Sequence, residues 1–208
     1  MMVRFHMHEN LGLLRAIEKL LVRGRLDDAR QFARAIAEAP DEPGLGAWAS
    51  QAVLVRERAA RLAGANGLDE ACRREAQLAE ACGSCHVAAA VAPEFRSPGR
   101  IPADLPTIEA RMARHLWATD RLWEGIVGGA DDSWRDGLDV LAAAPLPAPA
   151  ITASRLPFAR RLQMLADRAR QRQRTDNHAD RATSYGEILV TCTGCHVAAE
   201  SPPAKAAE

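Results

Sequence analysis

Apolar residues recur every three or four positions through most of this chain, which is the spacing of one buried helical face. Near the N-terminus the pattern runs through Leu11, Leu14, Ile17 and Leu21, and later stretches repeat it. No stretch shows the strict alternation of apolar and polar residues that indicates a half-buried strand. The pattern therefore predicts an all-α protein.

Glycine, proline and turn-forming polar residues interrupt this pattern at similar places in both halves. The breaks are at Gly24, 40–46 and 64–67 in the first half, and at 128–129, after Pro145 and at 175–177 in the second. Because such residues end helices, each half is divided into four. Short connections make neighbouring helices antiparallel, so we predict two tandem up-and-down four-helix bundles.

The second half of the sequence echoes the first. An offset of 105 residues carries Ala39-Pro40 onto Ala144-Pro145, and an offset of 110 carries Trp48 onto Phe158. This self-similarity indicates a tandem duplication in which the second copy is a few residues longer. We predict a first domain over 1–92, a proline-rich linker over 93–106 and a second domain over 107–208.

The pentapeptide Cys-x-x-Cys-His occurs once near the end of each copy. Its residues are Cys82, Cys85 and His86 in the first copy, and Cys192, Cys195 and His196 in the second. Positions three and four apart share a helix face, so both thiols can bond the vinyl groups of one porphyrin while the histidine reaches its iron. A zinc site or a redox dithiol also uses Cys-x-x-Cys, but neither needs the following histidine. The repeat predicts two covalently bound haem c groups, with His86 and His196 as proximal iron ligands.

Composition narrows the functional classes. The 208 residues are 48 % hydrophobic, and 27 Lys and Arg residues balance 27 Asp and Glu residues. A neutral chain gives no support for binding nucleic acid or an anionic membrane surface. No apolar run approaches the ~18–20 residues that span a bilayer. We expect a globular protein without a membrane span, whose partners are recognised by local surface patches.

The location of the protein follows from the predicted haem. The segment Met1-Met2-Val3-Arg4-Phe5-His6 lacks the features of a secretory signal. Bacterial c-type haem is attached outside the cytoplasmic membrane, so we expect a periplasmic protein whose signal has been removed or lies upstream. The fifth cysteine, Cys72, is expected to be a small buried side chain rather than a reactive thiol.

A helical chain with the pentapeptide near the end of a fourth helix resembles the cytochrome c-prime family and its six-coordinate relatives, the class II cytochromes c. The resemblance covers nearly all of the chain, as two compact copies. Small cytochromes c differ, because their pentapeptide lies near the start and a methionine ligand follows much later. Here only 12 residues follow His196, and none of them is Met or His. Members of the family often pair, so the resemblance allows a homodimer.

The resemblance also implies that the opposite face of each haem meets a residue of the first helix. The offset of 105 carries Met7 onto Met112, and these two residues are the predicted distal ligands. A thioether ligand raises the potential of a haem relative to a second imidazole. His8 and His6 in the first copy and His115 in the second are alternative ligands, although they do not align with one another. His178 is expected to be a solvated residue at the start of the last helix.

These residues favour an electron carrier, and not an enzyme, that passes single electrons between a redox donor and an acceptor in the periplasm. The alternative is a protein that binds or senses a small gas (NO or CO), or a peroxidase, with at least one five-coordinate iron. The offset of 105 also places Trp117 and Trp123 where the first copy has Gly12 and Glu18. Because haem potential depends on its surroundings, we expect two distinguishable midpoint potentials.

Overall fold

The computed structural model describes residues 2–40, 45–91, 93–95, 99–143, 145–146, 151–174 and 177–200. Within these ranges the regular structure is helical and contains no strand, which confirms the all-α prediction. The described residues form eight α-helices in succession, with one 3-10 turn at Gly46–Trp48 before the third. They are α1 (Met2–Val22), α2 (Leu26–Ala37), α3 (Ala49–Ala63), α4 (Leu68–Ala88), α5 (Ile108–Val127), α6 (Asp131–Ala143), α7 (Leu156–Arg172) and α8 (His178–Glu200).

The first connection of each half is a tight turn that needs glycine. Gly24 follows α1 with a φ of 71°, and Gly129 follows α5 with a φ of 65°. Residues with a side chain rarely adopt this left-handed conformation, whereas glycine does so at no steric cost. The two turns are 105 positions apart, so the offset found in the sequence relates equivalent turns in the structure.

Consecutive helices pack against each other in both halves. In the first half α1 to α4 contact in chain order and α4 also contacts α1; in the second half α5 to α8 do the same and α8 contacts α5. Neighbours are antiparallel: the Arg30 side chain of α2, for example, donates to the backbone oxygen of Ala65 just beyond α3 (2.9 Å). The division into domains 1–92 and 107–208 with a linker over 93–106 stays a prediction.

The two halves are joined through their last helices. Along α4 and α8, Cys72 faces Thr193 (Sγ to Oγ1, 3.3 Å) and the Arg73 guanidinium donates to the Glu187 carboxylate (2.6 Å). His178, at the start of α8, lies instead beside Gly83 near the end of α4. The two helices are therefore antiparallel, and their C-terminal ends point in opposite directions. Contacts of α1 with α8 and of α4 with α5 complete this junction, and one apolar core continues through both halves.

In the described part of the chain, no helix combines the length and the apolar character that crossing a bilayer requires.

Candidate functional site

Both pentapeptides lie in the C-terminal part of a helix. The first occupies α4 and the second α8, so the two cysteines and the histidine of each share one helix face. Most of these side chains are half-buried, and one is exposed. The half-buried ones are Cys82, Cys85, His86, Cys192 and Cys195, and the exposed one is His196.

Burial keeps the first thiol of each pentapeptide in its neutral form. It raises the pKa of Cys82 to about 12, with the neighbouring Cys85 adding to the shift. The pKa of Cys192 is raised to about 12 in the same way, by burial and then by Cys195. Reactive dithiols lie instead at helix N-termini, where the thiolate is stabilised. Cys82 and Cys192 are thus neutral thiols, which disfavours dithiol redox chemistry, while addition of an S–H group across a vinyl bond forms a thioether.

The imidazole of His86 is oriented by a backbone group. Its Nδ1 lies 2.8 Å from the backbone oxygen of Val127. Because a carbonyl oxygen only accepts, Nδ1 carries the proton and Nε2 keeps its lone pair. Metal-bound histidines are commonly held in this way by a carbonyl or a carboxylate. The donor set of the first pentapeptide, two thiols and an oriented imidazole, therefore fits covalent haem with iron bound at Nε2.

Residues of the second half contribute to the first pentapeptide. The backbone of Gly83 packs against the carbonyl oxygen of Ile126, where a Cβ would not fit. Val87, the residue after His86, packs against Gly129: a Cβ added to that glycine would lie 3.2 Å from its Cγ2. The end of α5 and the turn that follows it thus form one wall of the first site.

The second pentapeptide has an equivalent contact and a different neighbour. Val197, the residue after His196, packs against the turn at Gly24, where an added Cβ would lie 2.9 Å from its Cγ2. Gly194 packs against the ring of Phe158 in α7. The turn after the first helix of each half therefore packs against the pentapeptide helix of the other half. The sequence did not predict this exchange.

His178 is the clearest residue that the sequence analysis misjudged. It was expected to be solvated, but it is half-buried, and its Nδ1 would lie 3.2 Å from a Cβ placed on Gly83. Burial, assisted by the positive charge of Arg181, lowers the pKa of His178. The expectation failed because the residue that buries His178 belongs to the other half of the chain. Cys72, in contrast, is fully buried as predicted, and burial raises its pKa to about 12.

The contacts between α1 and α4 show which residue of α4 lies level with the predicted distal ligand Met7. In the middle of the core, Tyr185 donates to Glu18, and Glu18 lies beside Glu75. Met7 is eleven residues before Glu18 in α1, and His86 is eleven residues after Glu75 in the antiparallel α4. Met7 and His86 therefore lie at the same level along the helix axes.

The second half gives a similar result. Arg181 of α8 donates to the backbone oxygen of Gly125 in α5 (3.2 Å). Met112 is thirteen residues before Gly125, and Gly194 is thirteen residues after Arg181 in the antiparallel α8. Met112 and Gly194 therefore lie at the same level. Met7 and Met112 are half-buried, His8 is exposed and His115 is buried; the side chain of His6 lies outside the described residues. Distal ligation stays a prediction.

Outside the pentapeptides, the described residues form no group that could hold a metal ion, and two shallow surface grooves are separate from both pentapeptides. Among the residues that the structure describes, no three His, Cys, Asp or Glu side chains come together as a group that could hold a metal ion. Two shallow grooves, one on α7 and one between α4 and α8, include no residue of either pentapeptide.

No family model, no curated protein and no solved structure matches this chain. The resemblance to class II cytochromes c therefore rests on the two pentapeptides and on the order of the helices.

Proposed function

We propose that this protein is a dihaem c-type cytochrome that passes single electrons between redox proteins in the periplasm. Cys82 and Cys85 hold one haem c through thioether bonds, and Cys192 and Cys195 hold the other. When bound, each haem supplies an iron that changes between the ferric and ferrous states by one electron. His86 and His196 bind the two irons on the proximal side.

The observation that carries this proposal is the geometry of the first pentapeptide. The His86 ring is oriented by the carbonyl oxygen of Val127, 2.8 Å from Nδ1, so that Nε2 is the nitrogen available for iron. The thiol of Cys82 on the same helix face is kept neutral by burial, which raises its pKa to about 12. Dithiol exchange needs a thiolate, whereas thioether formation consumes the S–H group.

The arrangement of helices supports two tandem four-helix bundles. The last helix of each half closes back on the first, α4 on α1 and α8 on α5. In this arrangement the pentapeptide of each half and the N-terminal part of its first helix lie at the same end. Met7 and Met112 are thus on the helices, and at the levels, from which a distal ligand would approach. A methionine on each distal face would saturate both irons and favour electron transfer over ligand binding.

Replacing each methionine tests this function. The protein, matured in a periplasm that attaches c-type haem, is reduced and exposed to carbon monoxide, and the Met7→Ala and Met112→Ala variants are treated alongside. We expect no rapid binding by the unmodified protein, and binding at one haem in each variant. Met164→Ala is the matched control, because Met164 is an exposed methionine of α7 and its loss should change nothing.

Two other results would redirect the assignment. Opening of a site by His8→Ala or His115→Ala, with no effect of the methionine variants, would make a histidine the distal ligand. Fast and complete carbon monoxide binding at both haems of the unmodified protein would contradict the electron carrier and favour the gas-binding protein or the peroxidase.

A further inference from the structure

A group of polar side chains is enclosed in the core where α1, α4, α5 and α8 meet. Glu75 of α4 is 0 % exposed, Tyr185 of α8 is 1 % exposed and Glu18 of α1 is 8 % exposed. The Tyr185 hydroxyl donates to one carboxylate oxygen of Glu18 (2.5 Å), and the Arg15 guanidinium donates to the other (2.6 Å). Both carboxyl oxygens of Glu75 lack a hydrogen-bond partner. We call Glu18, Glu75 and Tyr185 the central cluster.

The charges around Glu75 do not balance if every carboxyl group is ionised. Arg15 is the cation that acts on Glu75, and it already forms ion pairs with Glu18 and with Asp120 of α5. One positive charge would then face three negative ones. An unpaired buried carboxylate is costly, and such a group takes up a proton instead.

Four helices pack against α4 and could compensate the charge of Glu75, namely α1, α3, α5 and α8. From α1 come Glu18 and Arg15, and from α8 comes Tyr185. From α5 comes Trp123, whose indole N–H lies near the Glu75 carboxyl group without forming a well-aligned hydrogen bond. The buried residues of α3 are apolar. Burial, and then the charge of Glu18, raise the pKa of Glu75 well above its usual value, while Arg15 and Trp123 only partly oppose the shift.

The central cluster lies midway between the two pentapeptides. Glu75 is seven residues before Cys82 in α4, and Tyr185 is seven residues before Cys192 in α8, which is about 10 Å along either helix. The repeat offsets of 110 and 105 carry Glu75 onto Tyr185 and Glu18 onto Trp123. Glu75 and Tyr185 of the cluster thus occupy equivalent positions of the two halves, and the equivalent of Glu18 in the second half is Trp123.

Resting on the proposed function, we propose that the central cluster is a proton-binding site shared by both halves, in which Glu75 holds a proton more tightly once an electron has entered the protein. Above neutral pH, Glu75 then takes up a proton from the solvent when an electron enters and releases it when the electron leaves. The electron comes from the redox donor, the O–H bond forms on the Glu75 carboxylate, and no other bond changes. Glu18 is the member closest to solvent and gives the proton its way in. A unit charge about 10 Å away, with an effective dielectric constant of about 20, would change proton affinity on the order of tenfold.

The first experiment asks whether Glu75 carries a proton and needs no haem. Infrared spectra at neutral pH should show the C=O band of a buried carboxylic acid in the unmodified protein and not in Glu75→Gln. The control is Glu57→Gln, which removes an exposed carboxylate of α3 and should keep the band. Glu18→Gln is a second variant that leaves Glu75 in place. Because it removes the neighbouring negative charge, the band should disappear at a lower pH than in the unmodified protein.

The second experiment measures whether proton binding by Glu75 depends on the redox state of the haems. Midpoint potentials of the haem-loaded protein, measured from about pH 5 to about pH 10, should fall as pH rises, because reduction and proton uptake favour each other. Glu75→Gln should flatten this dependence, and Glu57→Gln should not.

The proposal is overturned if the acid band is absent at neutral pH, if the band survives in Glu75→Gln, or if that variant keeps the full pH dependence of the potentials. A protein without haem would instead contradict the proposed function and the link to electrons, and the infrared band would still decide whether Glu75 binds the proton.

Discussion

The two pentapeptides have the same pattern of residues but differ in what surrounds the histidine. His86 is half-buried, and its ring is held by the carbonyl oxygen of Val127, while His196 is exposed. Gly83 packs on a backbone carbonyl and lies beside His178, whereas Gly194 packs on the ring of Phe158. The same pentapeptide thus stands in two environments, and under the proposed function these surroundings would tune the two haems differently.

The two sites also depend on each other. The turn at Gly129 packs on the residue after His86, and the turn at Gly24 packs on the residue after His196. We therefore expect a change in either turn to affect the site of the other half. Substitutions in one pentapeptide, in the central cluster or in one of the two glycine turns test how the two sites differ and how they depend on each other.

The largest effect should come from removing the thiols of one pentapeptide. The variant Cys82→Ala/Cys85→Ala should lose one of two covalent haems and keep the one at Cys192 and Cys195; the corresponding change in α8 should do the reverse. Mass spectrometry of the denatured proteins measures this directly. Cys72→Ala should keep both haems, and two haems retained in either double variant would contradict the assignment.

Glu75 of the central cluster should make the free energy of unfolding depend strongly on pH. Because the pKa of Glu75 is raised in the folded state, its contribution to the unfolding free energy is constant below the unfolded value of about 4.5 and falls as pH rises above it. The limiting slope is about 1.4 kcal/mol per pH unit. Urea unfolding of Glu75→Gln at several pH values should show this decline removed.

Glu187 is a control, because its contribution to stability should depend on pH in the opposite direction to that of Glu75. Arg73 and then Arg161 lower its pKa through hydrogen bonds and charge, so it contributes stability that is present above about pH 4.5 and lost as pH falls through its folded pKa. Glu187→Gln should therefore destabilise the protein near neutral pH and not in acid. The same pH profile for both variants would contradict this account of the core.

Substitutions in the two glycine turns should lower the free energy of unfolding by smaller and unequal amounts. Gly24→Ala and Gly129→Ala each place a side chain in the left-handed region, which costs about 1–3 kcal/mol. Gly24→Ala should be the more damaging, since its Cβ would approach Val197 more closely than the Cβ at Gly129 would approach Val87 (2.9 and 3.2 Å).

Gly12→Ala is the control for these two turns, because Gly12 lies within α1 with open space around it. That change should stabilise the protein by about 0.5–1 kcal/mol. Thermal or urea unfolding measures all three variants, and equal effects of all three would show that the turns are not constrained.

The smallest effect concerns the potentials of the two haems. A redox titration should show two midpoint potentials, and His178→Gln should shift the potential of the first haem more than that of the second, because His178 lies beside Gly83. A single two-electron wave in the unmodified protein would contradict the difference between the environments.

Much of the fold could be predicted because the relevant signals are local. The periodicity predicted the helices, and the glycines at 24 and 128–129 predicted turns that the structure contains. The repeat offsets relate equivalent helices of the two halves. What the sequence did not predict is the packing of α4 along α8, because contact between distant helices leaves no trace in a local pattern.

The central cluster had a sequence signal that was missed. Glu75 lies on the face that carries Ala71, Leu78 and Cys82 at helical spacing, so a carboxyl group was placed where the pattern demands an apolar residue. A charged residue on a buried face indicates either a partner or a bound proton. Its partners, Glu18 and Tyr185, belong to helices that are distant in sequence, and only the structure brings them together.

The mass of the intact, denatured protein after maturation in a periplasm that attaches c-type haem tests the central claim most directly. We predict the mass of the polypeptide plus two haems, with Cys72 the one cysteine of five that remains open to alkylation. A colourless protein with the mass of the polypeptide alone and five thiols that can be alkylated would contradict it.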